Sequence, residues 1–529
     1  MKTGNSVKNI LGSTALTRRK FGALSAGVAA AGAIALNAPR GFAASPKKGG
    51  HLRIALEHGN TTDSYDPATW DNGASQLFAY ARNGYLTEIS TENQLAPSLA
   101  ENWEASADAK TWTFKLRQGV TFHNGKSLTP EDVIASLDYH RGEDSKSAAK
   151  PIVAPIASMK GDGNNVVITL EAGNADFPFV LSDYHLAILP SKDGKIDPTT
   201  DIGSGAYKVK SYEPGVRAVV ERNPNHWNPD VGHVDSAEIL SIVDGAARQN
   251  ALLTDEVDVI DSVDLNTVHL MKRRPGIIVF TVTGTQHYTF AMDTRAAPFS
   301  DNNVRMALKY AIDRKELVEK ILNGYGSVGN DHPIGKSNRY IATEEELPQR
   351  AYDPDKAKYY LKQAGLDSLE VSLSAADAAF SGAVDAALLY SEKAAKAGIT
   401  IEVVREPNDG YWSNVWMKKP WSAVYWGGRP TEDWMFSTAY SSGAAWNDTF
   451  WENARFNELL VAARSELDET KRRGMYVEMQ QLVSNDGGVI VPMFASYVGA
   501  HSDKLAHGDS IAANWAMDGN RLIERWWFS

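Results

Sequence analysis

Between residues 351 and 405 the chain alternates helix-forming and strand-forming patterns with little slack between them, and this alternation most restricts its fold. Asp353-Pro354 opens a helical DKAKYYLKQ that stops at Gly365. A period-2 LEVSLSA follows, then a helical AALLYSEKAAKAG, then a strand-like ITIEVV. Asp before a first-turn Pro is a helix start, and Gly is a helix stop. Strands alternating with helices bury one face of each helix on a sheet, so the fold class is α/β. The same vocabulary recurs elsewhere. HLRIALEHGN reads as a strand leading into a loop, and KTWTFKLRQGVTFH as a hairpin turning at Gln118-Gly119. Thr129-Pro130-Glu131-Asp132 caps the helix VIASLDYH. VVITLEA and YHLAILP read as strands, and AYKVKSYEPGVRAVVER as a hairpin at Pro214-Gly215. Val304, Leu308, Ala311 and Ile312 form one apolar helical stripe; Asp313 with Glu316 then caps ELVEKIL, which Gly324 terminates. A long helical stretch from Glu452 to Asp486 precedes the apolar strand VIVPMFA, and the aromatic tail RLIERWWFS reads as a strand returning to the first lobe.

At 529 residues the chain exceeds one core, so two or three lobes are expected. The N-terminus is of another character. TALTRRKFGALSAGVAAAGAIALNAPRGFAAS has basic residues, then an Ala/Gly-rich apolar run, then small residues, the layout of a secretory signal. Thr17-Arg18-Arg19-Lys20-Phe21 resembles the twin-arginine signature, and the expected cut follows Ala43. The run is too short and too weakly apolar to span ~30 Å of hydrocarbon as an anchor. Removing Lys2, Lys8, Arg18, Arg19, Lys20 and Arg40 takes the formal net charge from −11 to −17. That balance excludes a basic nucleic-acid footprint and adhesion to anionic membrane. With no cysteine, there is no thiol enzyme, no disulfide and no lipidated tether. The protein is expected to be exported, free of the membrane and monomeric.

Catalytic motifs are missing. There is no G-x-S-x-G elbow, and GSGAY and NGYGSVG do not match a phosphate-binding loop. The twelve histidines show no helical metal-ligand spacing, and TDEVDVIDSVD lacks the glycine and final Glu of a calcium loop. No cofactor or metal is implied. One segment stands out instead: GYWSNVWMKKPWSAVYWGGRPTEDW, residues 410 to 434, holds five of the fourteen tryptophans. Trp426 followed by Gly427 and Gly428 sets an aromatic wall beside bare backbone. Arg429 offers a two-pronged partner for a carboxylate, and Glu432 or Asp433 a partner for a cation. Indoles also hold a cation for ~0.5–2 kcal/mol. Trp412 and Trp421 read as packing, whereas Trp446 joins the binding candidates.

Several blocks resemble one family. LAPSLAENWEASADAKTWTFKLRQGVTFHNGKSLTPEDVIASLDYHR (95 to 141), GSGAYKVKSYEPGVRAVVERNPNHW (203 to 227), PFSDNNVRMALKYAIDRKELVEKILNGYG (298 to 326), AYDPDKAKYYLKQAG (351 to 365) and YWGGRPTEDW (425 to 434) are similar to the family 5 extracellular solute-binding proteins. These are the dipeptide- and oligopeptide-binding components of ABC importers. The resemblance implies a bilobal periplasmic-binding-protein fold of the class II, cluster C type, with two lobes joined by a two-strand hinge and an extra subdomain in the first lobe. It places a signal peptide at 1 to 43, domain I at 44 to 285 with a subdomain near 80 to 195, domain II at 286 to 496, and a return to domain I at 497 to 529. The hinge falls near Thr285 to Phe290 and Phe494 to Val498.

The resemblance further implies a periplasmic receptor, not an enzyme, that captures a short peptide or peptide-like solute and works with a two-subunit permease and its ATPases. In peptide-binding relatives the segment matching YWGGRPTEDW lines the cleft, and an aspartate there meets the ligand's ammonium group. Relatives read Pro-Asp-Pro-Asp where this chain has Pro430-Thr431-Glu432-Asp433, so Thr431 replaces the first acid and Asp433 aligns with the second. Opine, glutathione and oligosaccharide receptors of the same family remain alternatives, as does an exported hydrolase. Four more site candidates follow. Tyr65 and Asp66 stand in the loop after the first strand, where relatives have Leu-Asp-Pro, and His287 and Tyr288 stand at the hinge. One of that last pair is expected to face the cleft and the other the core, because strand neighbours alternate.

Overall fold

The computed structural model describes residues 46–408, 410–429 and 431–529. The twin-arginine signal and the cut after Ala43 lie outside the described residues. The strand His51–Leu56 runs parallel to Ser236–Ser241 on one side and to Val259–Ile260 on the other. Ser236–Ser241 in turn pairs with the hairpin Tyr207–Glu213/Arg217–Arg222, which turns at Pro214-Gly215. Leu52, Ile54 and Leu56 alternate along the first strand, so all three reach one core with Val220 and Ile239. The helix Gly73–Arg82 packs there through Leu77 and Phe78, and Asn72 starts it by accepting from the Ala74 and Ser75 amides.

A separate four-stranded antiparallel sheet has the order Ala100–Ala105, Thr111–Leu116, Asn165–Leu170, Ile156–Asp162. With the helix Pro130–Tyr139 it closes around Trp112, Phe114, Val133, Leu137 and Ile168. Two sequence expectations fail here. Thr111–Leu116 already has a neighbour on each edge, so no hairpin forms at Gln118-Gly119; after that turn Thr121 bridges Ser127 instead. YHLAILP is apolar because it is buried, not because it is a strand, and it makes one isolated bridge, Ile188 to Gly84.

The second set of elements carries a parallel pair, Leu369–Ala375 with Ile399–Arg405, joined by the helix Ala383–Ala395. Its core holds Val304, Leu308, Ala311 and Ile312, the stripe read from sequence. The stretch read as one long helix is two, Ala454–Ser465 and Glu469–Asp486. Asp468 caps the second by accepting from the Thr470 and Lys471 amides, and that capping ends the run.

Two long antiparallel strands, Ile277–Met292 and Val489–Ser502, cross between these cores. Their pairing runs from Ile277/Ser502 to Thr283/Ser496, shifts, and resumes at His287/Phe494. On one side of the shift the neighbour is Val259–Ile260; on the other it is Trp421–Trp426. The chain ends in the helix Leu522–Arg525 and the strand Trp527–Phe528, which pairs with Leu505–Ala506. In the tail Leu522, Ile523 and Trp526 pack in the same core as Leu52 and Ile54, and half of it is helical where a strand was expected.

Candidate ligand cleft

A cavity of about 570 Å³ opens at the shift between the two long strands. Parallel strands aim their carboxyl ends at ligands, and the residues just past two such ends line it. Glu57 and His58 follow His51–Leu56, and Asp261 follows Val259–Ile260. Asn72 and Gln76 come from the start of the helix Gly73–Arg82. Ser496, Tyr497 and Val498 come from the second long strand, Trp515 from the returning tail, and Gln286 and Gly427 from the far side.

The first wall is an ionic cluster. Arg248 Nε lies 3.2 Å from Asp261 Oδ1 and its Nη2 3.6 Å from Glu57 Oε2. His58 Nε2 lies 3.3 Å from Glu57 Oε1. Burial works against the Glu57 carboxylate, but hydrogen bonds from His58 and Ser262 outweigh it and hold it below the usual range. The same bond raises His58. Burial and the neighbouring Glu57 push Asp261 up to about 7, although Arg248 opposes the shift. The wall therefore changes charge near neutral pH. Among the described residues no group of three or more His, Asp or Glu could hold a metal ion.

Of the residues singled out from sequence, Gly427 lines this cavity, and a Cβ there would meet open space. Gly428 has φ +73°, and a Cβ on it would clash with Thr285. That pins the segment against the first long strand; Arg429, the next residue, is not among those that line the cavity. The Arg429 Nη1 donates to the Gly428 carbonyl (2.6 Å), and Trp434 lies 6.0 Å from the guanidinium.

The other candidates are placed elsewhere. Glu432 is 2 % exposed and accepts from the Tyr340 amide at 2.7 Å, and burial pushes it up to about 7. Asp433 accepts from Arg464 Nε at 3.0 Å. Both acids are consumed inside the protein. Tyr65 packs on Phe78 and Tyr212, with the Arg82 guanidinium over its ring. Asp66 holds its own turn by accepting from the Ala68 amide (2.8 Å) and the Tyr139 hydroxyl (2.9 Å). His287 is fully buried; its Nδ1–H donates to the Thr285 carbonyl, and burial pulls it down to about 4. Tyr288 stacks on Phe380 at 4.1 Å. Neither hinge neighbour lines the cavity, because the register shift turns Gln286 toward it instead. Trp426 is 6 % exposed and packs with Trp416 and Trp446; Trp446 is 49 % exposed, and neither lines the cavity. Trp421 is core, as expected, but Trp412 is 39 % exposed.

Sequence reasoning missed Glu57, His58, Gln76, Asp261 and Gln286. A position just past a strand end is a signal that finds Glu57, His58 and Asp261; nothing local marks Gln76 and Gln286.

Residues 94–448 match the model of the bacterial extracellular solute-binding proteins, family 5 Middle. The glutathione-binding protein GsiB of Pectobacterium atrosepticum is 24% identical over 464 residues, 84% of this chain and 89% of that protein. The fold is shared with DppA from Helicobacter pylori in complex with the peptide STSA (TM-score 0.71, 22% identity, 92% of this chain and 99% of that one). It is shared also with AgaA from A. tumefaciens R10 in complex with agropinic acid (TM-score 0.71, 22% identity, 91% and 99%).

Proposed function

This chain belongs to the bacterial extracellular solute-binding proteins of family 5, and from that premise we propose that it is the receptor of an ABC importer for a small peptide or peptide-like solute. The observation that carries the reading is the cavity at the register shift of the two crossing strands, walled by residues around the first core and faced by Gln286 and Gly427 from the far side. A solute there touches both walls at once only when they approach. Its binding energy therefore favours the closed form, and closure signals occupancy to a permease. No step makes or breaks a bond. The N-terminal signal carries the protein to the periplasm, and among the described residues no helix is long and apolar enough to cross a membrane.

A thermal-shift screen of residues 44 onward tests the reading against di- and tripeptides, glutathione, opines, oligosaccharides and free amino acids. A ligand at 100 times its Kd adds ~2.7 kcal/mol to stability. A peptide-like hit recovered chemically intact is the expected result. A response confined to oligosaccharides or opines would move the assignment to those solutes, and one confined to glutathione would match what the GsiB relative is named for binding. A hit that is consumed would replace the receptor with a hydrolase.

A further inference from the structure

The charged residues that line the cavity are mostly of one sign. Glu57, Asp71 and Asp261 line it together with His58, and no Lys or Arg is among the described residues that do. The cation behind this wall, Arg248, is buried and already committed to backbone carbonyls. Its Nη1 donates to Ile242 and Val243 (2.7 and 3.1 Å), its Nη2 to Ser262 (3.0 Å) and its Nε to Asp261 (3.3 Å). Asp261 is 7 % exposed, and its Oδ1 accepts from the Glu57 amide at 3.0 Å. Its Oδ2 receives no hydrogen bond among the described residues and is not sealed from solvent, so this lone oxygen opens on the cavity. Asp71 accepts from the Asn72 side chain at 3.1 Å and has no cationic partner among the described residues. Trp515 and Tyr497 line the same space, and aromatic faces attract cations, not anions. A nearly buried carboxylate without a matching cation is costly, and a cavity walled by one sign of charge repels solutes of that sign.

We propose that the cavity selects a solute of net positive charge, a basic peptide whose guanidinium or ammonium side chain meets Asp261 Oδ2. The inference rests on the receptor reading and deepens it. What is read is the solute's charge and not its amino terminus, so an N-blocked basic peptide is taken as well as a free one. The rule separates this chain from a relative it resembles in sequence. Glutathione, which GsiB is named for binding, is a net anion at neutral pH and would meet three acids and no Lys or Arg here. Gln286 and Gly427 on the far side are neutral, so nothing there calls for a second charge.

Calorimetric titration at neutral pH tests this with Ala-Arg, Ala-Gln and Ala-Glu, which differ in the charge of one side chain, beside acetyl-Ala-Arg-amide, agmatine and glutathione. The proteins are the wild type, Asp261→Asn and Asp71→Asn, each checked by its melting without ligand. Ala-Arg is expected to bind the wild type roughly tenfold more tightly than Ala-Gln, with acetyl-Ala-Arg-amide close to it and with Ala-Glu and glutathione weakest. Asp261→Asn keeps an acceptor for the Glu57 amide and loses the charge, so the preference for Ala-Arg over Ala-Gln collapses. Asp71→Asn alters an exposed side chain, narrows the same preference, and serves if Asp261→Asn does not fold. Equal binding of the three dipeptides, tighter binding of Ala-Glu or glutathione, or a preference unaltered in the folded variants overturns the inference and leaves the receptor standing. Agmatine bound while every peptide is refused keeps the charge rule and removes the peptide-like reading. Silence of the whole panel on the wild type overturns both.

Discussion

Glu432 and Asp433 show how a residue's role is set by what it touches. From sequence they look like free acids beside a tryptophan-rich loop. In the fold Glu432 meets an amide 92 positions earlier, and Asp433 an arginine 31 positions later. Nothing in the local string announces either partner. The consequence for Glu432 is measurable. Its carboxyl is raised from an ordinary 4.5 to about 7, so the folded state binds the proton more tightly than the unfolded one. Its contribution is complete below pH 4.5 and lost as pH rises through 7. Glu432→Gln should therefore leave stability near pH 4.5 unchanged and raise it at pH 8 by about 2–3 kcal/mol, read by urea denaturation at both pH values. An equal effect at the two pH values would refute the assignment. Gly428 carries a different constraint. Its φ of +73° and the contact of a built Cβ with Thr285 lead us to expect that Gly428→Ala costs about 2–3 kcal/mol.

At the scale of elements, what was legible was local. Asp353, Asp313 and Thr129 start helices in the structure as they do in the string, because a cap needs only its own next three residues. The hairpin at Gln118-Gly119 failed because Thr111–Leu116 found its partners at Ala100–Ala105 and Asn165–Leu170, a choice made by packing. The long helical run failed because Asp468 competes as a cap. The helix it starts, Glu469–Asp486, is closed by a device no pattern reveals. Lys309 is fully buried, and its ammonium donates to the carbonyls of Val483 (3.3 Å), Ser484 (2.9 Å) and Gly487 (2.8 Å). In Lys309→Met the Val483 carbonyl still accepts from the Gly487 amide and the Ser484 carbonyl from Arg350 Nη2, so the Gly487 carbonyl alone loses its donor, and a loss of about 1–2 kcal/mol in urea denaturation is expected. A neutral or stabilising result would mean that burying the ammonium costs as much as its bonds return.

At the scale of the whole molecule, the segment before Phe177 touches the helices Ala454–Ser465 and Glu469–Asp486. Ala175 N–H donates to the Arg464 carbonyl at 2.7 Å, and Asp176 lies 2.6 Å from Arg472, both side chains buried. Opening about the strand shift breaks this pair. Asp176→Asn and Arg472→Met should each enlarge the ligand-free protein in small-angle scattering, and the exchanged pair Asp176→Arg with Arg472→Asp should restore part of the compaction. Unchanged dimensions in both single variants would show that the pair does not hold the lobes together. The family was legible from sequence because its blocks are contiguous, and the cleft was not, because its walls come from residues near 57, 76, 261, 286, 427 and 515. The account stands or falls on that cavity. A Cβ at Gly427 meets open space within it, so Gly427→Phe is expected to project a ring into the cleft. The decisive measurement is the ligand-induced thermal shift of this variant beside the wild type. The account predicts equal melting without ligand and a shift only in the wild type; a variant that responds as fully as the wild type would contradict it.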